Sequence, residues 1–167
     1  ERGLAGQRIG MEETNRFFIL DKLKQQLPGA KVVSANPVVR GCRMIKSGNE
    51  IALMQAANDI MIAAYRTAAP KVTAGMTPRD IAALIEAATI AHGGQPLFQL
   101  VLTGEGTAYP HGTRRPQRVE KGINMLFDCG CAVHGYQSDI SRSYVWGAVP
   151  TPEQRKVWEE MRRGQDT

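Results

Sequence analysis

The fold is decided by the stretch INMLFDCGCAVHGYQSDISRSYVW, which covers residues 123–146. Both of its ends are apolar, and this predicts strands over Ile123–Phe127 and Ile140–Trp146, with a further short strand at Ala132–Val133. A turn near His134 would make the two main strands antiparallel neighbours. The stretch therefore predicts a β-hairpin within an antiparallel sheet.

Two carboxylates interrupt this apolar hairpin. Asp128 and Asp139 lie eleven residues apart, and an acid in a buried strand costs free energy unless a metal or hydrogen-bond donors compensate it. Because side chains alternate along a strand, an odd separation across a two-residue turn places both acids on one face. A divalent cation such as Mn²⁺ or Zn²⁺ would remove their repulsion. The pair favours a metal site, and the alternative is that each aspartate caps a turn.

A histidine precedes the hairpin in a Gly/Pro-rich segment. His111 follows Pro110 and precedes Gly112, and from such a loop it can donate a hydrogen bond to a substrate carbonyl or to a developing oxyanion. The alternative is an ordinary surface or core histidine.

The cysteines of the hairpin have a different expected role. Cys129 and Cys131 alternate with Asp128, so we expect both thiols on the opposite face as small buried hydrophobes. A lone C-x-C lacks the second pair of a structural zinc site. Together with Cys42 they are too few for a disulfide framework, which favours the reducing cytoplasm as location.

Helix signals surround the hairpin. Ser47, Thr77 and Thr151 each begin an N-capping pattern, the last two followed directly by proline, and apolar residues follow each at helical spacing. After the second helix comes an apolar run, Leu97–Leu102. The order of helix, helix and then antiparallel hairpins predicts an α+β fold.

The first residues differ from this pattern. We predict a helix over Met11–Leu27 and a strand over Lys31–Ser34, as at the end of an α/β domain that covers residues 1–37. Residues 38–46 show no clean period and are predicted to form a linker, and residues 47–167 then form the α+β domain. A chain that begins with Glu1 and stops soon after a new helix starts is interpreted as a fragment.

Composition excludes several classes of protein. The 167 residues are 43% apolar and 22% charged, which is typical of a globular chain. No run approaches the ~20 apolar residues of a membrane-spanning helix. The net charge of +5 is spread along the chain, and aromatic residues make up only 6%. Neither a membrane nor a nucleic acid is therefore an expected partner.

At these residues the sequence resembles the metal-dependent pita-bread peptidases, the family of methionine aminopeptidase, aminopeptidase P, prolidase and creatinase. The Arg-Met-Ile-Lys-Ser entrance to the second domain is similar to that of the two-domain proline peptidases. The matching segments are Arg43–Ser47 with Glu50, Pro110–His111, Asp128–Gly130 and Gly135–Arg142.

The resemblance implies the first half of a pita-bread catalytic domain, preceded by the end of an α/β N-terminal domain. It implies two divalent ions, with Asp128 chelating one and Asp139 bridging both, and a His111 that stabilises the tetrahedral intermediate. Mn²⁺ is the expected metal, with Co²⁺, Zn²⁺ and Fe²⁺ as alternatives. In the family a histidine and two glutamates from the second half complete the site, so we expect this chain alone to be inactive.

The implied activity is that of an Xaa-Pro dipeptidase, which hydrolyses the bond before proline in a dipeptide or short peptide. An aminopeptidase P-type exopeptidase and a non-catalytic pita-bread binding module are the alternatives. A creatinase-type hydrolase is disfavoured, because such members can do without the metal pair. The implied partners are the remainder of the same protein and a second copy in a homodimer.

Overall fold

The computed structural model describes residues 7–166. It divides into two compact units, Glu1–Gly48 and Asn49–Thr167. Among helices in the described range, none is both long enough and apolar enough to cross a membrane.

The first unit is a small βαβ arrangement. Strand β1 (Arg8–Met11) pairs in parallel with β2 (Lys31–Ser34), and helix α1 (Phe17–Gln26) connects them. The helix predicted from Met11 was placed six residues too early. Residues 8–11 instead form backbone hydrogen bonds with β2, a long-range pairing that local periodicity does not reveal.

The predicted linker at 38–46 is largely helical. Helix α2 (Asn36–Met44) begins with proline in its first turn, where the missing amide costs nothing. Its Arg40 pairs with Glu13 at 2.5 Å and joins the helix to the loop after β1. Residues 36–44 are therefore an ordered part of the first unit.

The second unit places two long helices before the sheet. The predicted cap residues Thr77 and Thr151 both form complete capping boxes, which confirms these two helix starts. The elements are α3 (Gly48–Ala68), α4 (Pro78–Ala91), β3 (Gln95–Thr103), β4 (Asn124–Val133), β5 (Tyr136–Gln137), β6 (Ile140–Val145) and α5 (Pro152–Gln165).

Strand β4 is the centre of the sheet. It pairs antiparallel with β3 on one side and with β5 and β6 on the other. The two short strands predicted at 123–127 and 132–133 belong to this single ten-residue strand, which begins one residue later, at Asn124. The predicted turn is confirmed: His134 (φ 48°) and Gly135 (φ 85°) are both left-handed, as a two-residue type I′ hairpin requires.

The core lies between the two helices and one face of the sheet. Alanines of α3 and Ile81 and Ile85 of α4 belong to this core, and the Cys131 thiol of β4 lies 3.3 Å from the carbonyl oxygen of Ala57 on α3. We call this side of the sheet the helix face, and its buried apolar strand residues are Val101, Met125, Phe127, Cys129, Cys131 and Ile140.

Candidate metal site on the open face of the sheet

Asp128 and Asp139 lie on the same face of the sheet, opposite to the helix face. In the register of β4 and β6, Asp128 faces Ser141 and Cys129 faces Ile140. Ala132 and Gln137, which lie closer to the turn, pair in the same register. Asp139 therefore stands opposite Gly130, two residues from Asp128. The two carboxylates are therefore diagonal neighbours. We call this side the open face, and it also carries Leu100, Leu126 and Ser141.

The two acids differ in their surroundings. Asp128 is half-buried, and the hydroxyl of Ser141 donates a hydrogen bond to its Oδ1 at 3.0 Å. Asp139 is exposed. The open face thus presents one carboxylate that a neighbour orients and a second that faces solvent. Such a pair of hard oxygen ligands fits a divalent ion.

A glycine allows the strand that carries Asp139 to approach β4 closely. A Cβ on Gly130 would lie 2.3 Å from the carbonyl oxygen of Ser138 and 2.6 Å from Cε1 of Phe98. Neither distance is possible between non-bonded atoms, so every other residue would push the backbone next to Asp139 outward. Glycine is therefore the only residue type that fits at position 130 without movement of the neighbouring atoms.

His111 is held in a turn over the same face. The amide of Gly112 donates to the carbonyl of Tyr109 at 2.9 Å, with Pro110 at the second position of the turn, where its fixed φ is favoured. A Cβ on Gly112 would lie 3.4 Å from Cδ1 of Leu100, and Leu100 faces Asp128 across the strands. The turn therefore packs one residue away from the carboxylates, and the His111 side chain is exposed.

The cysteines lie on the helix face, as predicted. Cys129 and Cys131 are both fully buried, and burial raises the pKa of the Cys129 thiol to about 11. The thiolate is the form that binds a metal, so this burial disfavours Cys129 as a ligand. Throughout residues 7–166, no group of three or more His, Cys, Asp and Glu side chains converges as a metal site would require.

Three residues have contacts around the site that the sequence did not predict, although Gly130 and Ser141 lie within the matching segments. Ser141 contacts Asp128, Gly130 allows the close approach, and Tyr65 of α3 reaches the strand after Asp139 with a hydrogen bond of 2.6 Å to the carbonyl of Ile140. Ser141 could have been predicted from the position of the turn, since a two-residue turn at His134 and Gly135 makes it the cross-strand partner of Asp128. No local signal distinguishes Tyr65 from the other core residues of its helix.

Comparison with known proteins follows this division of the chain. Residues 52–167 match the model of metallopeptidase family M24, and residues 1–45 match the creatinase/prolidase N-terminal domain. The chain belongs to metallopeptidase family M24. The fold prediction is confirmed: an α+β arrangement with the pita-bread fold of this family, preceded by part of the N-terminal domain.

Several similar proteins are named as prolidases, Xaa-Pro dipeptidases or X-Pro aminopeptidases. The Xaa-Pro dipeptidase of Pyrococcus furiosus is 28% identical over 155 residues, which are 92% of this chain and 44% of that protein. The prolidase structure from Pyrococcus horikoshii has a TM-score of 0.83 at 29% identity, over 91% of this chain and 44% of the other. An X-Pro aminopeptidase structure from Thermotoga maritima has a TM-score of 0.81 at 27% identity, over 90% and 43%. The chain spans less than half the length of these relatives.

Proposed function

We propose that the protein carrying this chain is a metal-dependent exopeptidase that hydrolyses the bond before proline, as an Xaa-Pro dipeptidase does. The observation that carries the proposal is the placement of Asp128 and Asp139 on one face of neighbouring strands, with the His111 turn packed over the same face. The names of the relatives, Xaa-Pro dipeptidase and Xaa-Pro aminopeptidase, support the substrate class.

In this proposal Asp128 and Asp139 would hold two divalent ions on the open face, Asp128 as a ligand of one ion and Asp139 as a ligand that both would share. When bound, such ions lower the pKa of a water molecule and polarise the scissile carbonyl. The Ser141 hydroxyl keeps the Asp128 carboxylate in a fixed direction through its hydrogen bond of 3.0 Å. Since oxygen ligands discriminate weakly among these ions, Mn²⁺ is the metal we would test first, then Co²⁺, Zn²⁺ and Fe²⁺.

His111 has the role of a hydrogen-bond donor to the substrate. It is exposed and stands on a turn whose backbone is fixed by the Tyr109–Gly112 hydrogen bond. A donor that is placed before the reaction begins stabilises negative charge on the carbonyl oxygen as that charge develops. Leu100, between the turn and Asp128, supplies an apolar surface beside the reacting groups.

The remainder of the protein is the partner that this proposal requires. Two carboxylates are too few ligands for a closed site. A groove of about 640 Å³ also opens between α5 and the open face, and Leu126, Val157, Trp158 and Met161 lie along it. Val157, Trp158 and Met161 are at least half exposed, which is costly for side chains of this size. Further chain packed in this groove would cover them and bring the missing ligands, and association as a homodimer stays a prediction.

The test is metal-dependent hydrolysis of Ala-Pro by the complete protein. We expect turnover that EDTA abolishes, that Mn²⁺ restores and that the Asp139→Asn variant lacks. Turnover of Ala-Pro-Ala in preference to Ala-Pro would favour the aminopeptidase alternative, which the Thermotoga likeness supports equally. Peptide binding without turnover in any metal would favour the binding module and contradict the proposal.

A further inference from the structure

In the segment that carries Asp139, three alternate residues form hydrogen bonds with residues of α3 or β4. The Tyr136 hydroxyl donates to Oε1 of Glu50 at the start of α3, at 2.8 Å. The buried Ser138 hydroxyl accepts from the amide of Cys131 at 3.1 Å. The carbonyl of Ile140 accepts from the Tyr65 hydroxyl at 2.6 Å. Asp139 lies between the last two of these attachments and points to the other face.

Tyr65 is the attachment nearest to both carboxylates. The Ile140 carbonyl belongs to the peptide that joins Ile140 to Ser141. On one side of that peptide, Ile140 directly follows Asp139. On the other side, the Ser141 hydroxyl donates to Asp128. A single hydrogen bond from the helix layer therefore acts on the backbone between the two groups that orient the site.

The surroundings of Tyr65 favour this one hydrogen bond. The side chain is only 7% exposed, and a buried hydroxyl that lacks a partner costs free energy. Its ring is fixed against Phe127, with the ring centroids 5.5 Å apart. Burial raises the pKa of Tyr65 far above its usual value, and a side-chain hydrogen bond with Cys129 acts in the same direction. A protonated phenol is a hydrogen-bond donor.

We infer that Tyr65 is a positioning residue for the Asp128–Asp139 pair, acting through the Ile140–Ser141 peptide. Its side chain packs against Phe127 on the helix face, opposite to the face that carries the two carboxylates. The hydrogen bond from its hydroxyl fixes the position of the strand, so that the two carboxylates can bind the same ion. The effect on metal binding rests on the proposed function, whereas the effect on the strand itself does not.

The chain offers a matched control in Tyr144. Its ring packs against the same Phe127, with centroids 5.2 Å apart, and burial raises its pKa to about 12. Within the described residues, however, its buried hydroxyl has no hydrogen-bond partner. Tyr65→Phe and Tyr144→Phe each remove one hydroxyl from the same aromatic cluster, but only the first removes a hydrogen bond.

The experiment measures amide hydrogen exchange over residues 138–142 and the Mn²⁺ dissociation constant, both in the complete protein. We expect Tyr65→Phe to speed exchange in this segment and to weaken Mn²⁺ binding by about tenfold, the lower end of the range for groups that orient metal ligands. We expect Tyr144→Phe to change neither. Equal exchange in the two variants, or faster exchange in Tyr65→Phe with an unchanged dissociation constant, would overturn the inference.

The exchange comparison and one further variant keep the outcomes separable. If the wild-type protein fails to bind Mn²⁺, the proposed function fails, but the exchange comparison still decides whether Tyr65 holds the strand. If Tyr65→Phe folds poorly, a titration of Ser141→Ala replaces it: that variant removes the contact to Asp128 at the far end of the same peptide. We expect it to weaken Mn²⁺ binding at least as much, and unchanged binding would count against the inference.

Discussion

The two faces of strand β4 use neighbouring residues for opposite purposes. Phe127 and Cys129 are 1% and 0% exposed against the helices, whereas Leu126 and Asp128 are only half-buried on the open face. Because a strand alternates sides at every residue, one segment contributes both the core and the candidate site. A substitution in β4 should therefore affect stability or chemistry according to its parity, and the predictions below test that separation.

The largest effect is expected on the helix face. Phe127→Ala removes a ring that contacts both Tyr65 and Tyr144, and it should lower the free energy of unfolding by about 3–5 kcal/mol. Leu126→Ala, the adjacent position on the open face, should cost less than half of that in the 167-residue chain. Urea denaturation measures both. Equal losses would show that the two faces are not distinct.

The next effect is on chemistry and leaves stability unchanged. Asp139→Asn removes an exposed carboxylate, so the free energy of unfolding should stay within about 0.5 kcal/mol of wild type. In the complete protein, hydrolysis of Ala-Pro should fall by more than about 100-fold, because losing a ligand exceeds the cost of losing a group that merely orients one.

The matched control for Asp139 is Asp59→Asn. Asp59 is an exposed carboxylate of α3 that accepts a hydrogen bond from Gln55, so the same change of charge occurs away from the open face. It should leave kcat/KM unaltered. If both variants lose activity alike, net charge rather than a metal ligand explains the effect.

One glycine substitution should affect both stability and metal binding. Gly130→Ala would force the Ser138 carbonyl and the Phe98 ring away from β4, with an expected cost of about 1–3 kcal/mol and weaker Mn²⁺ binding through displacement of Asp139. Gly41→Ala is the control, since Gly41 lies within α2 with open space at its Cβ. That change should stabilise the chain by about 0.5–1 kcal/mol. Normal metal binding by Gly130→Ala would contradict the steric argument.

The smallest effect is a loss of stability at alkaline pH. Burial raises the pKa of Cys129 from 9.0 to about 11, so the native state retains this proton when the unfolded chain has lost it. The contribution of this pKa difference to the free energy of unfolding is fully present below pH 9, and it is lost as the pH rises towards 11. The urea midpoint should fall across this range, and Cys129→Ala should reduce the slope. Cys42→Ala, at an exposed thiol, should leave the slope as it is.

Local patterns predicted much of the second unit. The capping residues Thr77 and Thr151 fix two helix starts, and the turn at His134 with the spacing of the aspartates fixes the shared face. These signals act within a few residues or follow from the strand period. The roles of Asp128, Asp139 and His111 in catalysis stay predictions, because this chain spans less than half the length of the relatives that it matches.

The features that sequence did not predict depend on contacts between distant segments. Strand β1 forms only because β2 lies beside it, and helix α2 occupies a segment with no clean period. Tyr65 reaches a carbonyl 75 residues away, and Gly130 is required by a ring on β3. Nothing in the residues around these positions indicates such partners, so they become visible only once the strands are in register.

The most direct test of the open face as a metal site is a calorimetric titration of the complete protein with Mn²⁺. We predict two bound ions per chain for the wild type and a loss of binding when Asp128 and Asp139 are both replaced by asparagine, with the far-ultraviolet circular dichroism spectrum unchanged. Undiminished Mn²⁺ binding by the folded double variant would contradict the account.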